Sequence, residues 1–280
     1  MVFCFMKHCL FFCLVATLVF AAFPCHAVSG TQIVPHRALY KMSLDRVSAG
    51  NSISHVEGTM VFDWSDACDG WAIQQKMNLH FIHNEGNDAD VDSTVVMWEA
   101  KDGTRYNFNV RRLINEKEDE IYKGRARLGE EGGNVVYALP KERAESKLPS
   151  GTLFPSGHTK MIIKMAKTGE KFFTRRVFDG SDEEGSADVS AFIGDEIKTN
   201  TLGKELRENP LIQVRAWPVR LAFFLPDAQE GLPEYEMDLV LQENGIARSM
   251  VIDYGNFRVK GELVKLDSET SSLCPRTSSK

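Results

Sequence analysis

The chain has 280 residues, of which 43% are hydrophobic and 26% are charged. This balance is typical of a folded globular protein, and it excludes a disordered chain, a collagen and a protein with many membrane spans. The formal net charge is −6, and because an acidic surface repels phosphate backbones, nucleic acid is not expected as a partner.

The N-terminal segment has the three parts of a secretory signal peptide. Lys7 supplies the positive charge, Cys9–Phe23 is apolar, and a small-x-Ala pattern ends at Ala27. The apolar stretch is short for a membrane span, although an uncleaved N-terminal anchor stays an alternative. The sequence therefore predicts a signal peptide over residues 1–27 and a single domain over residues 28–280, with no transmembrane segment after the leader.

Removal of this leader leaves only two cysteines, Cys68 and Cys274. Two cysteines in an exported chain have one intramolecular pairing available, and an oxidising compartment favours that pairing. Two buried free thiols are the alternative. A structural zinc site is not expected, because it needs about four ligands and the chain contains no CxxC or CxxH unit.

Most of the mature chain is predicted to form strands, because apolar and polar residues alternate along it. The first two strands cover Val56–Trp64 and Trp71–Phe81, and the turn Asp66–Gly70 joins them into an antiparallel hairpin with Cys68 at its tip. Further strands with the same alternation are predicted at Val91–Glu99, Arg105–Asn115, Glu120–Leu128, Asn134–Ala138, Lys171–Phe178 and Ala187–Lys198.

One helix is predicted between these strands. Pro155 and Ser156 begin it, with Ser156 in the N-cap position, and Gly169 ends it. The segment Met161–Ala166 supplies an apolar stripe at helical spacing. A second, shorter helix is predicted over Thr201–Glu208 from a weaker pattern.

The C-terminal third has the clearest turn signals. A strand that starts at Tyr235 leads to Asn244-Gly245, which is typical of a tight turn, and Gly255-Asn256 marks the next turn. Turns at roughly ten-residue spacing favour one large curved sheet. The predicted fold is therefore mainly β: a large curved antiparallel sheet, open-barrel-like, with one or two short helices.

The sequence contains no Gly-rich phosphate loop, no GxSxG elbow and no HExxH helix. His80 and His83 are three residues apart on a predicted strand, so their rings point to opposite faces and make a poor metal pair. Ser156 and His158 suggest a nucleophile and its base, but a helix cap and a core histidine hydrogen-bonded to the backbone explain both residues. We therefore predict no enzymatic activity, no metal and no cofactor, with a wall or lipid hydrolase that uses His158 as the alternative.

Four motifs, taken together and in order, resemble a known family: Asp66-Ala-Cys-Asp-Gly-Trp71, Gly151-Thr-Leu-Phe-Pro-Ser-Gly-His158, Phe178-Asp-Gly-Ser181 and Ala216-Trp-Pro-Val219. They are similar to the EipB-like family of alphaproteobacterial envelope-integrity proteins, across nearly all of the mature chain. The resemblance implies a periplasmic β-spiral, a strongly curved antiparallel sheet stapled by a disulfide that matches Cys68 and Cys274. The motif positions to which we assign a structural role are Asp69, Gly70, Trp71 and His158.

The resemblance also implies a role in maintaining the cell envelope under stress, with no known enzymatic activity. We expect a non-enzymatic periplasmic protein that binds a protein, for example one of the tetratricopeptide-repeat type, or an envelope lipid or peptide. A curved sheet presents a concave apolar face that would accept a peptide or an acyl chain. The alternative function is a periplasmic lipid or lipoprotein carrier, which requires a closed apolar cavity.

Overall fold

The structure is a computed structural model that describes residues 32–140, 145–181, 185–198, 202–226 and 231–269. These residues belong to one unit that begins at Thr31, separate from residues 1–30. The predicted signal peptide and Cys274 lie outside the described ranges, so both remain predictions. Within the described part of the chain, no helix has the length and apolar composition that a membrane span requires.

Alternating burial along the chain produces 14 strands among the described residues. The strands are β1 (His36–Val47), β2 (Ile53–Asp66), β3 (Gly70–His83), β4 (Ala89–Ala100), β5 (Arg105–Ile114), β6 (Lys117–Gly129), β7 (Gly132–Leu139), β8 (Glu145–Leu148), β9 (Phe172–Val177), β10 (Ala187–Ile193), β11 (Ala216–Phe224), β12 (Tyr235–Gln242), β13 (Ala247–Asp253) and β14 (Phe257–Ser268). Helix α1 covers Pro155–Thr168, helix α2 covers Lys204–Glu208, and a 3₁₀ turn covers Pro210–Ile212.

All 14 strands lie in one antiparallel sheet, in the spatial order β8-β7-β6-β5-β4-β3-β2-β1-β14-β13-β12-β11-β10-β9. The first and last strands, β1 and β14, pair in its interior, with His36 opposite Ser268 at one end of the ladder. The hydroxyl of Tyr40 in β1 donates a hydrogen bond to the carbonyl of Ala247 in β13, 2.7 Å away. The edge strands are β8 and β9.

The segment that follows β8 reaches across to β9 at the other edge. Leu153 forms a parallel bridge with Val177. Its N–H donates to the carbonyl of Arg176 (2.8 Å), and its carbonyl accepts from the N–H of Phe178 (2.9 Å). Five residues of extended chain span at most about 18 Å, so the end of β8 at Leu148 lies within that distance of the bridge. The sheet is therefore strongly curved, and the predicted fold class is confirmed.

Helix α1 packs on one face of this sheet, here called the inner face; the other is the outer face. The buried helix residues Ile162, Ile163 and Ala166 share one core cluster with Trp71 of β3 and Trp217 of β11. This cluster also contains Trp64, Ile73, Phe173, Val177, Val189, Ala191, Ile193, Val219, Leu221 and Leu241. The sheet has two arms, β1–β8 and β9–β14, and strands of both arms bury apolar surface against α1. This burial is the main source of the stability of the helix.

A second cluster, mostly aromatic, lies beside the start of α1. The ring of Tyr106 in β5 stacks on Phe154, with ring centroids 4.8 Å apart, and Phe178 meets the ring of Phe108 edge-on at 5.5 Å. The Tyr106 hydroxyl donates a hydrogen bond to the backbone carbonyl of Asp179 at 2.7 Å. This cluster joins the segments that precede α1 and follow β9 to strand β5.

Gly180 packs tightly against the aromatic cluster, so Gly180→Ala is expected to destabilise the fold. Its φ is +74°, and an added Cβ would lie 2.5 Å from Cγ of Phe108. The left-handed backbone costs about 1 kcal/mol for alanine, and the clash adds about 1–3 kcal/mol. Gly151→Ala is the matched control, because its φ is +79° but the added Cβ has nothing within 4 Å. Urea denaturation should therefore show the larger loss for Gly180→Ala; equal losses would contradict the packing argument.

Candidate functional site

The turn between β2 and β3 is held by the side chain of Asp66. Its Oδ1 accepts hydrogen bonds from the backbone N–H of Cys68 (2.9 Å) and from Nζ of Lys101 (2.6 Å). Cys68 has a φ of +67°, and its sulfur is disulfide-bonded. Its proposed partner, Cys274, lies outside the described residues, so the identity of the partner remains a prediction.

The next three motif residues have different surroundings. Oδ2 of Asp69 lies 3.6 Å from Nη2 of Arg105 in an exposed ion pair. Exposed ion pairs contribute little to the free energy of unfolding. An added Cβ on Gly70 would lie 2.4 Å from the ring of Trp98, so this position accommodates only glycine. The ring of Trp71 is buried in the inner-face core, and Lys101 Nζ lies 4.9 Å from its centroid.

Glu99, at the end of β4, caps helix α1 from another part of the chain. Its side chain is buried at 2% exposure. Its Oε2 accepts from the N–H of Ser156 at 2.7 Å, and its Oε1 accepts from the N–H of Gly157 at 2.9 Å. These are first-turn N–H groups, which have no partner within a helix, and the positive end of the helix dipole favours a carboxylate there.

The predicted N-cap at Ser156 is wrong. The helix begins at Pro155, its N-cap residue is Phe154, and this residue provides no side-chain hydrogen bond to the first turn. Ser156 lies inside the first turn, where its N–H donates to Glu99. The capping oxygen therefore comes from a strand distant in sequence rather than from a local serine, and local sequence patterns did not indicate it.

The charge on Glu99 is poorly solvated but is not isolated. Burial raises the pKa of its carboxyl group, while the hydrogen bonds from Ser156 and Gly157 and the nearby Lys160 oppose this increase. Burial also lowers the pKa of Lys160, and Glu99 opposes that decrease. Lys160 Nζ lies 5.3 Å from the centroid of the Trp71 ring. Glu99 of β4 and Trp71 of β3 therefore both lie near the start of α1.

His158 lies on the side of α1 that faces the sheet, where it is buried at 5% exposure. Its ring meets Phe173 of β9 edge-on, with centroids 5.8 Å apart. Its Nε2 has no hydrogen-bond partner among the described residues, so the predicted bond from this ring to the backbone is not observed there. Burial, assisted by the charge of Arg175, lowers the pKa of His158 to about 4, which keeps the ring neutral at neutral pH.

The structure does not bring the suggested nucleophile and base into contact. Within the described residues, Ser156 Oγ makes no hydrogen bond to His158.

The predicted strand that carries His80 and His83 is present, and Nδ1 of His80 lies 2.7 Å from Oδ1 of Asp90. In the described ranges, no group of three or more His, Cys, Asp or Glu side chains is placed to hold a metal.

The buried histidine is expected to make the protein less stable in acid. Because the pKa is about 6.5 in the unfolded chain and about 4 in the folded protein, the unfolded chain binds this proton first. The stability contributed by the neutral ring is complete above pH 6.5 and decreases as the pH falls toward 4, by about 2 kcal/mol at pH 5. Denaturation of the wild type and of His158→Leu between pH 7.5 and pH 5 should show this decrease only in the wild type; parallel profiles would contradict it.

An open groove of about 700 Å³ lies along the outer side of β4–β7. Side chains of four neighbouring strands line it: Val96 and Trp98 of β4, Asn107 and Asn109 of β5, Lys123 and Arg125 of β6, and Val136 and Ala138 of β7. None of these residues was singled out as a site from the sequence. The groove thus combines apolar, amide and cationic groups on the face opposite α1.

A single antiparallel sheet curved around one buried helix, with an open groove on its outer face, defines a mainly β protein of the β-barrel-like class. A family model described as EipB-like matches residues 27–270. The chain belongs to the EipB-like family.

One known sequence and one crystal structure support this assignment. The cell envelope integrity protein EipB of Brucella abortus is 30% identical over 249 residues, which cover 86% of each chain. A crystal structure of a β-barrel-like protein of a domain of unknown function, DUF1849, also from Brucella abortus, superimposes with a TM-score of 0.79. That match has 29% identity and covers 85% of this chain and 99% of the other. The resemblance inferred from the four motifs is confirmed.

Proposed function

We propose that this chain is a non-enzymatic periplasmic protein that maintains the integrity of the cell envelope by binding a protein or an envelope component. The observation that carries the proposal is the 30% identity to a cell envelope integrity protein over 86% of both chains. The signal-peptide pattern over residues 1–27 supports export, and the predicted mature protein begins near Val28.

The surroundings of the reactive side chains support a non-enzymatic role. Both oxygens of Glu99 accept hydrogen bonds from α1, and the ring of His158 packs in the interior against Phe173. A general base needs to reach the proton that it removes. The contacts of these two groups are with the protein core, which favours structural roles for both.

The alternative function, a lipid or lipoprotein carrier, would use an apolar cavity on the inner face of the sheet. That face is occupied by α1, whose residues Ile162, Ile163 and Ala166 pack between the two arms of the sheet. A ligand there would have to displace the helix and the contacts that stabilise the core. The outer groove is accessible without such a rearrangement, and we therefore assign partner binding to it.

Deletion of the gene tests the proposed function. The deletion strain is expected to lose viability on detergent or cell-wall antibiotics, and the wild-type gene should restore survival. A gene that encodes residues 28–280 without the leader should fail to restore it at equal protein levels, because the product stays in the cytoplasm. Full rescue by the leaderless gene, or a deletion strain with normal survival, would contradict the proposal.

A further inference from the structure

The outward side chains of β6 form a row of cations. Lys123, Arg125 and Arg127 are exposed, while Gly124 and Ala126 alternate with them on the inner side. Since a strand rises about 3.4 Å per residue, the three charges repeat at roughly 7 Å. In the neighbouring strand, Arg105 lies directly opposite Arg127, and like charges in that position repel each other.

These cations have no partner within the described part of the chain. No carboxylate there lies within 4.0 Å of Lys123, Arg125 or Arg127. Some outward arginines elsewhere in the sheet are paired across strands, among them Arg176 with Asp188 and Arg220 with Asp238. In a chain with a formal net charge of −6, three unpaired cations at every second position of one strand concentrate positive charge, and an anionic partner would relieve their repulsion.

Two amide side chains lie next to the cationic row. Asn107 and Asn109 are exposed on the outer side of β5, and their side chains form no hydrogen bond with a described residue. Each amide has both donors and an acceptor. These groups match the alternating N–H and C=O groups of an extended peptide backbone, which lipid headgroups do not offer.

The far side of the groove is apolar. Val96 is 41% exposed, and the ring of Trp98 lies beside it on β4 with the Arg105 guanidinium 5.1 Å from the ring centroid. An exposed valine next to a tryptophan gives a surface on which apolar side chains of a partner would be buried. The groove therefore presents apolar groups on β4, amides on β5 and cations on β6, with Val136 and Ala138 of β7 beyond the cations.

We propose that this groove binds an extended peptide segment in which acidic and apolar residues alternate. Successive side chains of an extended chain point in opposite directions, so the acidic residues would face Lys123 and Arg125 while the apolar residues contact Val96 and Trp98. The inference rests on the proposed function, since it names the kind of partner that the protein binds.

Binding of a defined peptide tests the proposal. The probe is a fluorescein-labelled octapeptide of alternating Glu and Val, titrated with the mature protein and followed by fluorescence anisotropy at low salt. Binding should weaken as salt is added. An octapeptide of alternating Lys and Val, and one with four Glu followed by four Val, should each bind about tenfold more weakly. Equal affinity for all three peptides would overturn the proposal.

Matched variants locate the binding surface. Lys123→Gln combined with Arg125→Gln is expected to weaken binding about tenfold with an unchanged melting temperature, because both side chains are exposed and unpaired. Arg46→Gln combined with Lys164→Gln removes the same charge from exposed positions outside the groove, and its affinity should stay within about twofold of the wild type. Equal weakening by both pairs would show that binding is non-specific, and would overturn the site.

Two further experiments, on vesicle binding and on envelope survival, distinguish peptide binding in the groove from membrane binding and from the proposed envelope role. If the protein sediments with phosphatidylglycerol vesicles through Lys123 and Arg125 but does not bind the peptide, the peptide proposal is wrong. If the Lys123→Gln/Arg125→Gln gene restores envelope survival fully, the groove is not the functional surface, although the envelope role stands. A deletion strain with normal survival would instead contradict the envelope role, while specific peptide binding would still support the groove.

Discussion

Glu99→Ala is expected to lower the free energy of unfolding by about 4 kcal/mol, the largest effect of any single substitution considered for this chain. The change removes both acceptors of the first-turn N–H groups of Ser156 and Gly157. Each buried donor left without a partner costs about 1–3 kcal/mol, and the deleted side chain leaves a cavity. Urea denaturation of the purified protein at pH 7 would measure the loss.

Glu99→Gln is the matched variant, because glutamine retains one carbonyl oxygen and nearly the same volume. It should lose much less stability than Glu99→Ala at pH 7, since burial disfavours the carboxylate charge that glutamine lacks. An exposed glutamate, Glu57, provides the control, and Glu57→Ala should change the stability by less than about 0.5 kcal/mol. Similar losses for all three variants would show that Glu99 is not the cap on which α1 depends.

The raised pKa of Glu99 also gives the difference between wild type and Glu99→Gln a defined pH dependence. The folded protein binds the Glu99 proton more tightly than the unfolded chain, whose pKa is about 4.5. The contribution of this group to stability therefore increases as the pH falls toward the raised pKa, and becomes constant below the ordinary value. Between pH 7 and pH 4.5 the stability difference should shift in favour of the wild type. A shift in the opposite direction would contradict the raised pKa.

Cys68→Ser is expected to lower the free energy of unfolding by about 3 kcal/mol, through loss of the proposed bond to Cys274. A disulfide between these residues closes most of the mature chain into one loop, and such a bond stabilises mainly by restricting the unfolded state. For a protein of this size, that loss corresponds to a decrease in melting temperature of roughly 6–12 °C. Differential scanning calorimetry under oxidising conditions would measure it.

A double-mutant cycle identifies the partner of Cys68. If Cys68 and Cys274 form one bond, Cys274→Ser should match Cys68→Ser, and the double variant should be no less stable than either single variant. A reductant should lower the melting temperature of the wild type but leave the double variant unchanged. Additive losses, or two alkylatable thiols in protein isolated from the periplasm without a reductant, would refute the pairing.

The strands that were predicted correctly bury one face and therefore show a clear period of two. Three strands were missed, each for a physical reason. The buried face of β1 begins with His36, a polar residue that conceals the pattern. Strand β8 has four residues, too few to establish a period. Strand β11 contains Pro218, which argues against a strand, but this proline lies beyond the last residue pair of the β10–β11 ladder.

The contacts at the start of α1 required tertiary information. Glu99 ends a predicted strand as an ordinary polar residue, and nothing near it in the sequence indicates that Ser156 and Gly157 lie beside it. Only the cationic part of the outer groove is recognisable in the sequence, because the run from Lys123 to Arg127 places a cation at every second position. That pattern predicts a cationic strand face, but the amides and apolar groups beside it become evident only from the register of β4, β5 and β6.

The pairing of β1 with β14 makes completion of the sheet dependent on the end of the chain. Each arm, β1–β8 and β9–β14, pairs strands that are neighbours in sequence, so it has a low contact order and can form early. The ladder between the arms joins segments with the greatest sequence separation, and it closes with the greatest loss of chain entropy. A polypeptide that stops before Phe257 would thus expose the unpaired edges of β1 and β13, and two open edges favour association between chains. Premature termination converts this fold from a self-contained sheet into a nucleus for aggregation.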